Sequence, residues 1–481
     1  MAHMYADARP KGSFLYLCFG KANQVIAKAR FGEHVDCRTG HSMAFAAIGH
    51  KFGDRNGFHL SPQNFARQLN LGDVRKAAVL LDILNQFCVS QSQAIKEIHL
   101  VEPSIKWGFN ENEYGALIAM AQLAWAKITS PGSTVTVLPD FYMKMWALSR
   151  PKLSKYTHII LDEAQDTNPV LAQIVEDQTH AFRLLVGDQH QSIYQFRGAL
   201  NAMETFSSMG ATVLQMPTTW RFGPVIADQA NKLLSFFKNE QTAIIGAGPS
   251  SPRRAEDKRA VLSRTNAGLI GEAAAVYGRH THWVGGINNY KVDVLVDAFN
   301  LSIGQRSSIR DPHIRSFQAW SQYKDDAIKM RDGQARLLIK LVERYSKDIP
   351  TMVRSFHANA LETESGAKLV LSTMHKAKGL DYDHVTLGED FVCLEKATSS
   401  LLALPLEPLA KEHVQEINGL YVGYTRARHQ LDLNDESKDF FANYERHFSA
   451  LTEARAKALQ SADREDSAAG LSAAATQSSH F

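Results

Sequence analysis

The chain has 481 residues, 44% of them hydrophobic and 21% charged, with a formal net charge of +3. That length predicts roughly three folded units, and the composition excludes a disordered or fibrous chain and predicts a globular enzyme. The near balance of charge permits nucleic-acid binding through local patches without demanding it, and no apolar run approaches the ~18 residues of a membrane span, so no membrane contact is expected.

The N-terminus, "MAHMYADARPKG", lacks the apolar core of a signal peptide. It reads as the end of a helix. "SFLYLCF" (13 to 19) is then a short apolar run predicting a buried strand of a parallel sheet, followed by a helix over 21–30 and a second strand, "VDCRT". This is βαβ spacing. Residues 57–130 predict a helical insertion: Ser61–Pro62 is an N-cap and first-turn pair, Val74, Ala77, Leu81, Leu84 and Phe87 recur at helical spacing, and "EYGALIAMAQLAWAKI" is a further helix. Strands resume with "HIILDEAQD" and "FRLLVGDQ", completing a first unit made of 1–56 and 131–211.

A second sheet unit, 212–290 and 361–446, is predicted to begin with "TVLQM" and to include "AVLSRTN", "AKLVLSTMH" and "HVTLGEDF". A second helical block, 291–360, interrupts it. There Asp311–Pro312 is expected to cap one helix carrying Ile314, Phe317, Trp320 and Tyr323. From about 447 the Ala/Ser/Gln-rich tail predicts a frayed helix passing into disorder. Cys18, Cys37, Cys88 and Cys393 are scattered without CxxC spacing. They suit buried or free thiols in a reducing compartment, the cytoplasm or a eukaryotic nucleus.

The chemistry concentrates at "LDEAQD". Asp162 at a strand end can hold Mg2+ and Glu163 beside it can polarise a water. Alone, the string fits an acidic loop and helix cap equally well. "LLVGDQHQSIYQFRGA" (184 to 199) then adds a second strand, Gln191 as a γ-phosphate sensor, and Tyr194 and Phe196 beside Arg197. Alternating aromatics with a cation suit stacking on unpaired bases.

With "TTWRFG", "LSTMHKAKGLDYDHV" and "LYVGYTRAR" following in order, the chain resembles UvrD/Rep-like superfamily 1 helicases, in the branch that includes F-box DNA helicase and its bacterial relatives. The resemblance covers about residues 13–445. It implies an α/β fold of two RecA-like domains, each with a helical insertion, facing each other across a nucleotide cleft. It also implies ATP and Mg2+ as cofactors, and ATP-dependent 3′-to-5′ movement on single-stranded DNA with opening of duplex junctions.

Residue by residue, the resemblance assigns adenine stacking to Trp220, γ-phosphate contact to Arg221 and an arginine finger to Arg426, supported by Arg428. Gly379 allows a turn near the phosphates. Asp381 stands where the family has a ribose-contacting glutamate. Thr373 and His375 would approach the strand backbone. Phe19, Lys21, His41 and Ser42 are DNA-contact candidates, although Gly20 replaces the usual Asn or Thr and Gly40 the usual Phe.

The family's phosphate loop, GxxxxGK[ST], is not found: the Gly–Lys pair Gly20–Lys21 is followed by Ala22. The expectation from sequence is an N-terminally truncated helicase, starting at an internal methionine inside the helix that precedes "SFLYLCF". The competing expectation is a DNA- or partner-binding remnant without turnover. A nuclease-coupled recombination subunit is disfavoured, because the tail carries no carboxylate cluster.

Overall fold

Apolar pentapeptides become parallel strands here because each is returned to the sheet by a helix that covers one of its faces. A computed structural model describes residues 2–477 apart from 10, 19, 195–200, 250–257, 331 and 392. It divides into two units, Met1–Val213 and Leu214–Phe481.

In the first unit β1 (Phe14–Cys18), β2 (Val35–Thr39), β3 (His158–Leu161) and β4 (Phe182–Leu185) form a parallel sheet in the order β2-β1-β3-β4. All five residues of β1 are buried, as a strand covered on both faces requires. Leu17 pairs with Leu161, and the Asp162 amide continues the ladder onto the Leu17 carbonyl at 2.9 Å. That register sets Asp162 at the carboxyl edge of the sheet, where open α/β sheets place their ligands.

The helical block behaves as its periodicity predicts. Ser61 caps helix Pro62–Leu69 by accepting from the Asn64 amide at 3.2 Å. Ala77, Leu81, Leu84 and Phe87 of helix Val74–Val89 are buried, while Val74, in its first turn, is exposed. Their cluster also takes in Ala44, Phe141 and Trp146, so the helical layer extends past both ends of the 57–130 insertion.

The second unit carries a parallel sheet in the order β12-β11-β7-β10-β8-β9. Its strands are β7 (Arg259–Ser263), β8 (Thr281–Trp283), β9 (Ala360–Leu361), β10 (Leu369–Thr373), β11 (Tyr382–Leu387) and β12 (Ala427–Asp432). A separate pair, β5 (Thr218–Thr219) and β6 (Ile245–Gly246), is also parallel.

Two expectations are corrected. "TVLQM" forms no strand: Val213, Leu214 and Met216 are exposed, and among the described residues no strand pairs with them. The single helix after Asp311 is two, Pro312–Ser316 and Trp320–Lys329, because Phe317 leaves helical space at φ −80°, ψ 138°. The apolar residues still meet: Ile314, Phe317 and Tyr323 share one buried cluster with Trp320 packed against it. The tail is helical over Tyr444–Gln477, its alanine content favouring helix and its first turns anchored by buried Leu451.

Candidate functional site

Leaving β3, the chain turns sharply so that two carboxylates follow one another at the sheet edge. Glu163 takes φ +52°, ψ 43°, a left-handed conformation that non-glycine residues seldom adopt and that clusters at functional sites. Asp162 Oδ2 accepts a hydrogen bond from the Tyr16 hydroxyl on the neighbouring strand. Burial pushes the Asp162 carboxyl above the usual range; the Tyr16 bond opposes this and the Glu163 charge adds to it. Glu163 Oε2 accepts from Gln165 Nε2 at 2.6 Å.

The turn is latched to the segment after β4. Fully buried Gln165 accepts the Asp188 amide on Oε1 at 3.1 Å, and the Ser192 hydroxyl donates to its backbone carbonyl at 3.1 Å. Buried Asp166 accepts the Ile193 and Tyr194 amides on one oxygen, at 3.2 and 3.3 Å. Asp188 in turn accepts from Gln191 Nε2 at 2.8 Å. Asp162, Glu163, Gln191 and Tyr194 are thereby brought together within one unit; Phe19, Phe196 and Arg197 lie outside the described residues.

Sequence reasoning missed Tyr16, Gln165 and Asp166. The available signal was the two further polar residues after Asp162–Glu163, hemmed by apolar Leu161, Ala164 and Val170. A lone carboxylate at a sheet edge, with a second beside it, fits Mg2+, which takes one or two protein carboxylates and completes its shell with phosphate and water. Among the described residues no group of three or more His, Cys, Asp or Glu side chains could hold a metal without such help.

In the second unit Trp220 stands 77% exposed on the turn after β5. Gly248 packs so close to this turn that an added Cβ would lie 2.7 Å from the Trp220 carbonyl, so the two backbones hold one another. Half-buried Arg221 donates Nη1 to the Thr425 carbonyl at 3.2 Å. Arg426 is only 1% exposed: Nε donates to the Val422 carbonyl at 3.0 Å, Nη1 to the Leu380 carbonyl at 3.1 Å and Nη2 to Thr425 Oγ1 at 3.0 Å. Asp381 is engaged by Arg428, whose Nε lies 2.6 Å from its carboxylate. Gly379 turns the chain at φ +82° with open space where a Cβ would point.

The family model for the UvrD/REP helicase N-terminal domain matches residues 144–210, the segment holding the latched acidic turn. F-box DNA helicase 1 of Gallus gallus is 28% identical over 480 residues, covering 92% of this chain and 47% of that protein. F-box DNA helicase protein 1 of Schizosaccharomyces pombe is 27% identical over 485 residues, covering 91% of this chain and 54% of that one. The family model and both relatives agree in pointing to UvrD/Rep-like helicases as what the chain is similar to. RecBCD enzyme subunit RecB of Escherichia coli is similar over a shorter stretch, 34% over 88 residues, covering 17% of this chain and 7% of that subunit. The chain spans about half the length of the two F-box relatives.

Within the UvrD/Rep-like frame, the remaining candidates differ in how far they are committed elsewhere. Lys21 is exposed at the start of helix Lys21–Arg30, after Gly20 at φ +85°. His41 is half exposed and pairs through Nε2 with Asp140 at 2.9 Å. Ser42 is spent on capping: it and Thr39 exchange hydrogen bonds across the first turn of helix Gly40–Ala47. Gly40 explains the absent phenylalanine, since even a Cβ there would lie 2.8 Å from Leu171 Cδ2 and 3.0 Å from Met143 Cε. Thr373 is 6% exposed at the end of β10, whereas His375 two residues later is half buried.

Proposed function

We propose that this chain is an ATP-driven translocase that moves 3′-to-5′ along single-stranded DNA and opens duplex junctions in DNA repair or recombination. The observation that carries the reading is the latch. Gln165 and Asp166 fix the acidic turn to the Asp188–Tyr194 segment, so that the carboxylates and the sensor candidate Gln191 move as one body. Such coupling is what a hydrolase needs in order to convert a phosphate-level change into displacement of the aromatic that follows.

In this reading Glu163 accepts a proton from the attacking water, and Gln165 orients its carboxylate. Asp162, aimed by Tyr16, would hold Mg2+, whose charge offsets that developing on the phosphate when it is bound. Trp220 offers its exposed face to the adenine of ATP and Arg221 its guanidinium to the phosphates. Tyr194 stacks on a base, and His375 and Lys21 meet the strand.

No GxxxxGK[ST] string occurs in the 481 residues. That favours one second reading, a DNA-binding protein without turnover. The two part on ATP hydrolysis by this chain with and without single-stranded DNA. Stimulated hydrolysis abolished by Glu163→Gln is expected, and salt-sensitive DNA binding with no hydrolysis would establish the second reading instead.

A further inference from the structure

Two turns of the second unit meet at Lys376. Lys376 Nζ sits 3.5 Å from the centroid of the Tyr290 ring and donates to the Asn289 carbonyl at 3.4 Å. Among the described residues no carboxylate lies within ion-pair distance of it. The ring is a fixed platform: Tyr290 is 1% exposed, donates its hydroxyl to the Val284 carbonyl at 2.8 Å, and packs 5.3 Å from the equally buried Trp283 ring.

Half-burying an ammonium without a carboxylate is unfavourable. A tyrosine face and one carbonyl offset only part of that cost. Burial accordingly lowers the Lys376 pKa, leaving a cation that gains from an anion brought to it. The approach is open: Gly285 and Gly286, at φ +79° and +89°, and Gly379 on the facing turn have nothing within 4 Å of where a Cβ would stand. His375 and Lys378 lie in the same segment as Lys376, within two positions of it.

We propose that Lys376, propped on the Tyr290 ring, binds one backbone phosphodiester of single-stranded DNA. The assignment rests on the DNA-translocase reading above and adds to it a phosphate contact that positions the strand without reading its sequence.

The test is binding of a labelled oligo(dT) to the full chain by fluorescence anisotropy over a NaCl series. Losing one phosphate contact on a single strand lowers the slope of log affinity against log salt by about 0.7. Lys376→Gln is expected to show that drop, so that between 50 and 200 mM salt the wild type loses roughly threefold more affinity than the variant. Lys376→Arg is expected to restore the slope, and Lys340→Gln, an exposed lysine on helix Gly333–Tyr345, to leave it unchanged. Wild-type binding with the same slope in Lys376→Gln overturns the inference alone. No binding by the wild type overturns the DNA reading and the inference with it.

Discussion

Gly187→Ala tests the latch at its tightest point. Gly187 does not lie in the left-handed region, so alanine meets no conformational barrier; the obstacle is space. An added Cβ would stand 2.3 Å from Gln165 Oε1, 3.1 Å from the Ala164 amide nitrogen and 3.1 Å from Met203 Sδ. Backbone cannot withdraw, so the Gln165 amide must. Its displacement breaks the bond to the Asp188 amide and the bond to the Glu163 carboxylate, each a lost hydrogen bond in a part-buried setting.

Losing such bonds costs about 1–2 kcal/mol, equivalent to a 5–30-fold shift in a local opening equilibrium. Hydrogen exchange read by mass spectrometry should therefore show protection falling by that factor in peptides spanning 162–194. Peptides from helix Tyr114–Thr129 should keep theirs. Gln165→Ala removes the clash, so Gly187→Ala added to it should cost almost nothing more. Unchanged protection in Gly187→Ala, or additive losses in the double variant, would refute the latch.

Two further outcomes follow from single side chains. Trp220→Ala should leave the melting temperature nearly unchanged, since the ring is 77% exposed, yet weaken a fluorescent ATP analogue about tenfold. Trp220→Phe should recover most of the affinity, and equal affinity in all three would end the stacking assignment. Lys144 is 2% exposed, donating to the Ser90 and Ser92 carbonyls at 2.7 Å each, and burial lowers its pKa from 10.5 to about 8. The unfolded chain then binds the proton more tightly between those values, so stability rises as pH increases from about 8 towards 10.5. Relative to Lys144→Met, wild type should gain up to about 3 kcal/mol across that interval in urea unfolding, and parallel pH curves for the two proteins would refute it.

What could be read from sequence was what local physics dictates. Strand β1 is five apolar residues and helix Lys21–Arg30 begins after a glycine, so both were predictable to within a residue. Ser61 and Asp311 act as caps because a short side chain before proline has few alternatives. The break at Phe317 was not legible, since two short helices can display the same apolar residues as one long one. Nor was the Tyr16–Asp162 bond, which joins residues 146 apart and depends on the pairing of β1 with β3. Ser42 shows a role that family position alone does not announce: its hydroxyl satisfies a helix end that would otherwise need another partner.

The two arginines that converge on Thr425 divide one task unequally. For Arg426 to reach a phosphate, its guanidinium must release the Val422 and Leu380 carbonyls and Thr425 Oγ1. Each is a charge-assisted bond of about 1.5–3 kcal/mol, so withdrawal costs at least about 4 kcal/mol before any new contact forms. Arg221 gives up a single bond, at 3.2 Å, and is already half exposed. On the proposed reading, Arg221 is therefore the arginine that meets the nucleotide at low cost. Arg426 does its work from within: it ties the carboxyl end of helix Lys411–Tyr424 to the turn at Leu380, and so holds in place the Thr425 carbonyl on which Arg221 rests. Phosphate-driven movement of Arg221 would then pass through Thr425 to Arg426 and on to the Gly379–Leu380 turn, which begins three residues beyond Lys376. That is a physical route by which nucleotide state and DNA grip can be coupled within one unit.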